Sequence, residues 1–223
     1  MFEKFKSIEF RLAFLMSIFI ISVVTANMIG GKIAEINLLS IPITFSIGII
    51  PIFLTFFVLD SINEVFGQQK ARETIWLAIF AQILIFGILL LSLALPYSSR
   101  SWVSQNEFES VFGLSLRMII ASLVAFLLAD LTDAFVFSKI REKTKGKMLW
   151  LRSNLSNFIG ETIDTFAFMF IAFFDPFSGH GVGFVLQLIW PYLTLKLILS
   201  IINTPFVYAG VKWLRGNSKK TTF

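Results

Sequence analysis

Four carboxylates stand in two i, i+3 pairs within apolar sequence: Asp130 with Asp133, and Glu161 with Asp164. That spacing puts both members of a pair on one face of a helix. Lys196 is a lysine in equally apolar surroundings. At a rise of ~1.5 Å per residue, Asp164 lies about 16 Å along a helix starting near Ser153, and Lys196 about 18 Å into the next. Matching depth makes a carboxylate and this ammonium natural partners on neighbouring helices. Two chemistries follow: a buried ion pair that fixes helix packing, or a site that binds a polar ligand or an ion. A packing device needs only a neutral match, and four acids around one lysine exceed it. Such an excess is self-repelling unless a further cation joins it; Arg117, Arg152, a proton or a substrate would serve. The two acidic segments are also alike. Residues 129–137 and 160–168 share the form small-acid-x-x-Asp-x-Phe-x-Phe, as an inverted repeat meeting at a substrate site would.

The elements that must hold these groups are membrane helices. Of 223 residues, 56% are hydrophobic, only 15% are charged and 27 are Phe; the mean hydropathy is +0.81. Soluble domains carry about 25% charged residues, so an ordinary cytosolic enzyme, a disordered chain and a fibrous one are excluded. A span needs about 20 apolar residues. Uncharged runs cover residues 12–31, 36–59 and 74–99. The expected architecture is an all-α membrane bundle of six transmembrane helices in a single domain covering 1–223. Its spans are about 11–31, 41–60, 74–95, 114–138, 154–174 and 184–211. No small-x-small cleavage site follows the first apolar stretch, so it is expected to be retained as a helix. Ala26 and Gly30 have the small-x-x-x-small spacing of a close helix contact.

With six spans, fifteen of the 19 Lys and Arg residues fall on the side of the two termini, in Lys4–Arg11, Lys70–Arg72, Lys139–Arg152 and Lys212–Lys220. That asymmetry predicts cytoplasmic termini. It also accounts for the net charge of +5 and the pI near 9.6 without direct nucleic-acid binding. Asn27 is the polar residue of the first span, fit either to hydrogen-bond a neighbouring helix or to touch a ligand. Asp60, Asn63 and Glu64 cluster at the cytoplasmic end of the second, as a solvated helix end or as part of a gate.

Catalytic and cofactor chemistries lack their residues. There is no Cys, no glycine-rich phosphate loop and no serine nucleophile elbow. The single histidine, His180, lies in the loop Ser178–Gly181 without the acid or thiolate partners of a metal site. Gly181-Val182-Gly183-Phe184 lacks the Asp that an intramembrane aspartic protease would need. Neither a cofactor nor an enzymatic activity is expected.

Several segments together carry a family pattern. These are Ala26-Asn27 with Lys32; Leu59-Asp60-Ser61-Ile62-Asn63-Glu64-Val65-Phe66-Gly67 with Ala71-Arg72; and Arg117 with Ala121-Ser122. Further on stand Asp133-Ala134-Phe135-Val136-Phe137, Leu149-Trp150-Leu151-Arg152-Ser153-Asn154-Leu155-Ser156, Asp164-Thr165-Phe166, Lys196 and Thr204-Pro205-Phe206-Val207-Tyr208. Over nearly its whole length the chain resembles the queuosine precursor transporter family, also called the vitamin uptake transporter family. It departs from the pattern at Asn157, where Thr is usual, and at Glu161, where an amide is common.

The resemblance implies a six-helix bacterial inner-membrane importer of a 7-deazaguanine base (queuine, preQ1 or preQ0) used in tRNA modification. A carboxylate can accept the N1–H and exocyclic amine of such a base together, by the geometry of base-edge recognition. Glu161 or Asp164 would do so, with Asn27, Asn154 or Arg117 directed at the carbonyl, and Asp133 and Lys196 completing the substrate set. Asp60, Glu64, Asp130 and Arg152 are assigned to gating or coupling. The abundant Phe, with Trp150 and Trp190, offers stacking surfaces. PreQ1 and queuine carry an amine that helps neutralise the acids, and Glu161 is expected to favour them over neutral preQ0. The alternatives are a substrate-binding membrane subunit of an ATP-driven vitamin or nucleobase importer, and an intramembrane enzyme or scaffold. A homo-oligomer is compatible with the sequence.

Overall fold

The computed structural model describes residues 7–38, 41–144 and 149–215, apart from a set of side chains within the helices and strands. Asp133, Trp150, Arg152 and Asn154 are among those outside the described residues.

Helix α1 (Ile8–Ile29) starts at Ser7, whose hydroxyl accepts the Phe10 N–H at 3.2 Å. Such a cap satisfies one of the orphan donors of the first turn. At Gly30-Gly31 the chain leaves the helix and forms an antiparallel hairpin, β1 (Ile33–Leu38) and β2 (Ile41–Ser46), with Ile33 opposite Ser46 and Leu38 opposite Ile41. The Ser46 hydroxyl donates to the Gly30 carbonyl at 2.6 Å and accepts the Gly48 N–H at 3.2 Å, tying the hairpin's base to the end of α1. Helix α2 (Ile49–Phe66) follows. The expected start of the second span at residue 41 is thereby corrected to Ile49. The uncharged run 36–59 holds a strand and a helix, and hydropathy does not separate them. The sequence favouring the strand is its β-branched content, Ile33, Ile36, Ile41, Ile43 and Thr44.

Gly67, with φ +82°, turns α2 into α3 (Gln68–Ala94) in a single residue. An L side chain rarely takes that backbone conformation, so glycine is the fitting residue there. Helix α4 (Gln105–Lys143) opens on a capping box in which Ser104 and Glu107 satisfy each other's backbone N–H groups. Helices α5 (Leu149–Phe173) and α6 (Val182–Arg215) are the last described elements, joined by a short 3-10 turn at Pro176–Ser178. Pro191 and Pro205 stand inside α6, which continues through both.

Helices α4 and α5 form the most extensive pair; α2 lies between α1 and α6, α3 packs on α1, α2 and α4, and β2 packs on α6. One apolar cluster joins Ile49, Met118, Met169, Phe173, Val185 and Ile189 from α2, α4, α5 and α6. A second joins Leu15, Phe19, Val58, Ile62, Ala78 and Leu214 from α1, α2, α3 and α6. The outer surface is apolar as well: Trp76, Phe80, Ile83, Leu84, Ile88 and Leu91 of α3 are all exposed. In water such a face would be a large aggregation-prone patch, and against lipid it is the solvated surface. Among the described residues, Ile8–Ile29, Ile49–Phe66, Gln68–Ala94 and Gln105–Thr132 are long and apolar enough to cross a bilayer. The chain is a helical membrane bundle.

Candidate functional site

A cavity of about 160 Å³ opens where five elements converge. The end of α1 contributes Ala26 and Gly30; the hairpin's base gives Ser46 and Gly48; α2 gives Ile52, Thr55 and Phe56. Opposite them stand Asp164, Thr165 and Phe168 of α5 and Tyr192 and Lys196 of α6. Drug-sized ligands occupy pockets of ~300–1,000 Å³, so this one suits something of few atoms, such as a single planar ring system.

Lys196 is the centre of its polar side. It is only 8% exposed, and its Nζ lies 3.1 Å from Thr165 Oγ1, 3.5 Å from Asp164 Oδ2 and 3.8 Å from Glu161 Oε1. The ammonium also stands 5.5 Å over the Tyr192 ring. Helical spacing produces this arrangement. Glu161 and Asp164 share a face of α5 at i, i+3, and Tyr192 and Lys196 share a face of α6 at i, i+4. The Thr165 hydroxyl donates back to the Glu161 carbonyl at 3.0 Å, leaving its oxygen lone pairs to accept from Lys196. Thus an ammonium, the Asp164 carboxylate and a hydroxyl border a space walled by Phe56, Phe168 and Tyr192, with Glu161 paired to the ammonium from outside that lining. Such a set can accept and donate hydrogen bonds at one edge of a flat ligand while the rings cover its faces.

Glu161, Asp164 and Lys196 are thus brought together; the other sequence-predicted residues that the structure describes lie elsewhere. Asn27 is buried and donates to Gln82 Oε1 at 2.7 Å, joining α1 to α3. Asp60 accepts from Asn203 Nδ2 at 3.0 Å and Glu64 meets Arg215 at 3.6 Å, both between α2 and α6. Asp130 is exposed on α4 and does not line the cavity. Asp133, Asn154 and Arg152 lie outside the described residues. Trp190, expected as a stacking partner, is 66% exposed on the outer surface.

Arg117 is turned away from the cavity. Its Nε donates to the Ile171 carbonyl at 2.8 Å and its Nη2 to the Phe174 carbonyl at 2.5 Å. The last carbonyls of a helix lack intrahelical donors, and a cation there also meets the negative end of the helix dipole. In the adjoining loop, the Asp175 carboxyl is held below its ordinary value, first by the Ser178 hydroxyl. Arg117→Met is therefore expected to cost about 1–3 kcal/mol of stability through lost charge-assisted bonds. Ligand affinity of the folded fraction should stay within about threefold of the wild type, a difference of under 1 kcal/mol. Thermal unfolding and ligand binding on the same purified sample would check this; a selective loss of affinity would return Arg117 to the site.

Thr165, Tyr192, Phe56, Phe168 and Ser46 are site residues that sequence reasoning missed. Thr165 and Tyr192 carried a usable signal, being one residue from Asp164 and one turn from Lys196. Ala26 and Gly30 do make a close contact, but with the start of α2 rather than a helix face: a Cβ on Gly48 would lie 3.0 Å from the Ala26 carbonyl oxygen and 3.2 Å from Gly30 Cα. Among the described residues, no group of three or more His, Cys, Asp or Glu side chains is placed to hold a metal ion.

Residues 46–210, which include every cavity-lining residue except Ala26 and Gly30, match the family described as "Putative vitamin uptake transporter". The chain belongs to this transporter family. Relatives of the transporter agree. It is 27% identical over 185 residues to the "Probable queuosine precursor transporter" of Bacillus subtilis (strain 168), covering 80% of this chain and 77% of that one. It is 30% identical over 156 residues to the "Probable queuosine precursor transporter" of Haemophilus influenzae, covering 66% of this chain and 60% of the relative. To the "Queuosine precursor transporter" of Escherichia coli (strain K12) it is 26% identical over 147 residues, covering 66% and 63%. No solved structure matches the transporter closely enough to count as a relative. Transport, not catalysis, is the activity of this family, and the resemblance seen in the sequence motifs holds.

Proposed function

We propose that this transporter imports a 7-deazaguanine precursor of queuosine across the bacterial plasma membrane, as six spans with both termini cytoplasmic, and binds it in the cavity around Lys196. The observation that carries the reading is the buried ammonium paired with Asp164 and Glu161, of which Lys196 and Asp164 face an aromatic-lined space inside an apolar bundle. Ionisable groups at such depth are costly and mark substrate or ion pathways by default. Asp164 accepts the N1–H and exocyclic amine of the base, and Lys196 takes the part at the carbonyl oxygen first considered for Asn27, Asn154 or Arg117. Phe56, Phe168 and Tyr192 cover the ring. With both carboxylates ionised and Lys196 protonated, the trio carries one net negative charge. An amine-bearing precursor, preQ1 or queuine, neutralises it; the neutral nitrile preQ0 does not.

The test is uptake of labelled preQ1 by the purified protein in liposomes, with unlabelled preQ1, queuine and preQ0 as competitors. Uptake without any partner protein is expected, with preQ0 the weakest competitor. Uptake appearing only with an added ATPase would favour a subunit of an ATP-driven importer. Equal competition by preQ0 would overturn the preference for an amine.

A further inference from the structure

The contact between Asp60 of α2 and Asn203 of α6 is incomplete in an informative way. Asn203 is 3% exposed, and its Nδ2 donates to Asp60 Oδ2 at 3.0 Å, yet its Oδ1 is buried with no hydrogen-bond partner. Buried acceptors without a donor are rare and call for a physical reason. Asp60 itself is exposed on its other side, so water or an ion can reach it. An ionised carboxylate only accepts, whereas a protonated carboxyl adds one O–H donor. A carboxylic acid and a primary amide can join through two parallel bonds, N–H to the acid oxygen and O–H to the amide oxygen. Here the first is made and the acceptor for the second stands empty-handed.

No protein cation fills the gap among the described residues. On α6, Arg215 goes to Glu64 of α2 at 3.6 Å, Lys196 goes to α5, and neither Lys212 nor Tyr208 makes an ion pair. On α1, Arg11 donates to the Trp213 and Leu214 carbonyls at 2.7 and 3.4 Å, and Glu9 makes no ion pair. On α3, Lys70 pairs with Glu73, and Arg72 makes no ion pair.

We propose that Asp60 and Asn203 form a proton-binding site that couples proton entry to substrate movement, an inference whose coupling half rests on the transport reading above. Asp60 is five residues beyond Thr55 on α2, and Asn203 is seven beyond Lys196 on α6, so the pair sits about 8–10 Å along the two helices that also wall the cavity. Binding a proton from water turns one hydrogen bond between these helices into two and removes a negative charge. Loss of the proton restores the single bond. The proton therefore biases how closely α2 and α6 approach beside the substrate, as an effector with different affinity for two states must.

Two measurements test this, and they fail separately. The first needs no substrate: the purified protein is titrated while the infrared carbonyl stretch of protonated carboxyl groups is followed. A band that vanishes as pH rises is expected, absent in Asp60→Asn and shifted in frequency in Asn203→Leu. If no band depends on Asp60, the proton site is wrong. The second is preQ1 uptake in liposomes, which an inward proton gradient is expected to raise several-fold. Asp60→Asn and Asn203→Leu should lose that stimulation, and Asp60→Glu should keep it. Stimulation that survives in Asp60→Asn, or that a sodium gradient supplies in place of protons, overturns the coupling. An Asp60-dependent band in a protein that moves neither preQ1 nor queuine would uphold the proton site and sink the transport reading instead.

Discussion

Lys196→Met is expected to abolish precursor uptake and to destabilise the empty protein by about 1–3 kcal/mol. Removing one partner of a buried ion pair typically costs about 3–5 kcal/mol, because the other charge is left uncompensated. The Asp164 and Glu161 side chains keep 36% and 52% of their surface open, so solvent screening reduces that figure here. The variant leaves two carboxylates facing each other along α5 and a Thr165 oxygen without its donor. Asp164→Asn alone should cost less, since Glu161 still meets Lys196. The decisive comparison is the double variant Asp164→Asn with Lys196→Met, which restores the net charge of the trio. Its thermal stability should return towards the wild type, while uptake stays lost, because the base has lost both a carboxylate to read its donor edge and an ammonium at its carbonyl. Thermal unfolding and liposome uptake on the same preparations separate the two possibilities left open by the sequence. Recovery of uptake in the double variant would mean that the pair only fixes helix packing.

That ion pair is legible in the sequence because depth in a membrane helix follows from counting residues. Asp164 and Lys196 come out near the same level by that count, which makes them natural partners on neighbouring helices. The hairpin was not legible. Residues 36–46 are uncharged and precede a true helix, so their hydropathy merges with that of α2, and the pairing of Ile33 with Ser46 depends on contacts ten and more residues apart. Ser46 and Gly48 consequently entered the cavity wall unannounced. Arg117 illustrates a different limit. A guanidinium in a span must find acceptors, but sequence does not say whether they belong to a ligand or to the open carbonyls of Ile171 and Phe174. Asn27 is the same case with an amide, and its partner Gln82 lies 55 positions away. Residue type and depth thus identify which groups need a partner; only the packing identifies the partner.

Gly210→Leu is expected to disrupt the α2–α6 interface, with a loss of several-fold in folded yield and in uptake, and Gly210→Ala to cost about 1–3 kcal/mol, the usual range for overpacking. A Cβ at position 210 would lie 2.6 Å from Phe57 Cε2, 3.0 Å from its Cζ and 2.6 Å from Ser61 Oγ. Neither neighbour yields freely. Ser61 is fully buried with its hydroxyl bonded to the Phe57 carbonyl at 2.7 Å, and Phe57 packs on the apolar cluster of Val58, Ile62 and Leu214. The helices themselves must therefore separate. Close approach at small residues is the main attraction available to helices in lipid, where burying apolar surface gains little. Separation at Gly210 also strains the Asp60–Asn203 bond, two turns away on α6 between the same two helices, so transport should fall in step with stability rather than independently. Phe57→Leu in the Gly210→Ala background removes the ring atoms that clash and is expected to recover part of both. Thermal unfolding of the purified variants reads the first effect and liposome uptake the second. A Gly210→Ala protein as stable as the wild type would show that α2 and α6 have room between them and that this contact does not hold the cavity's walls together.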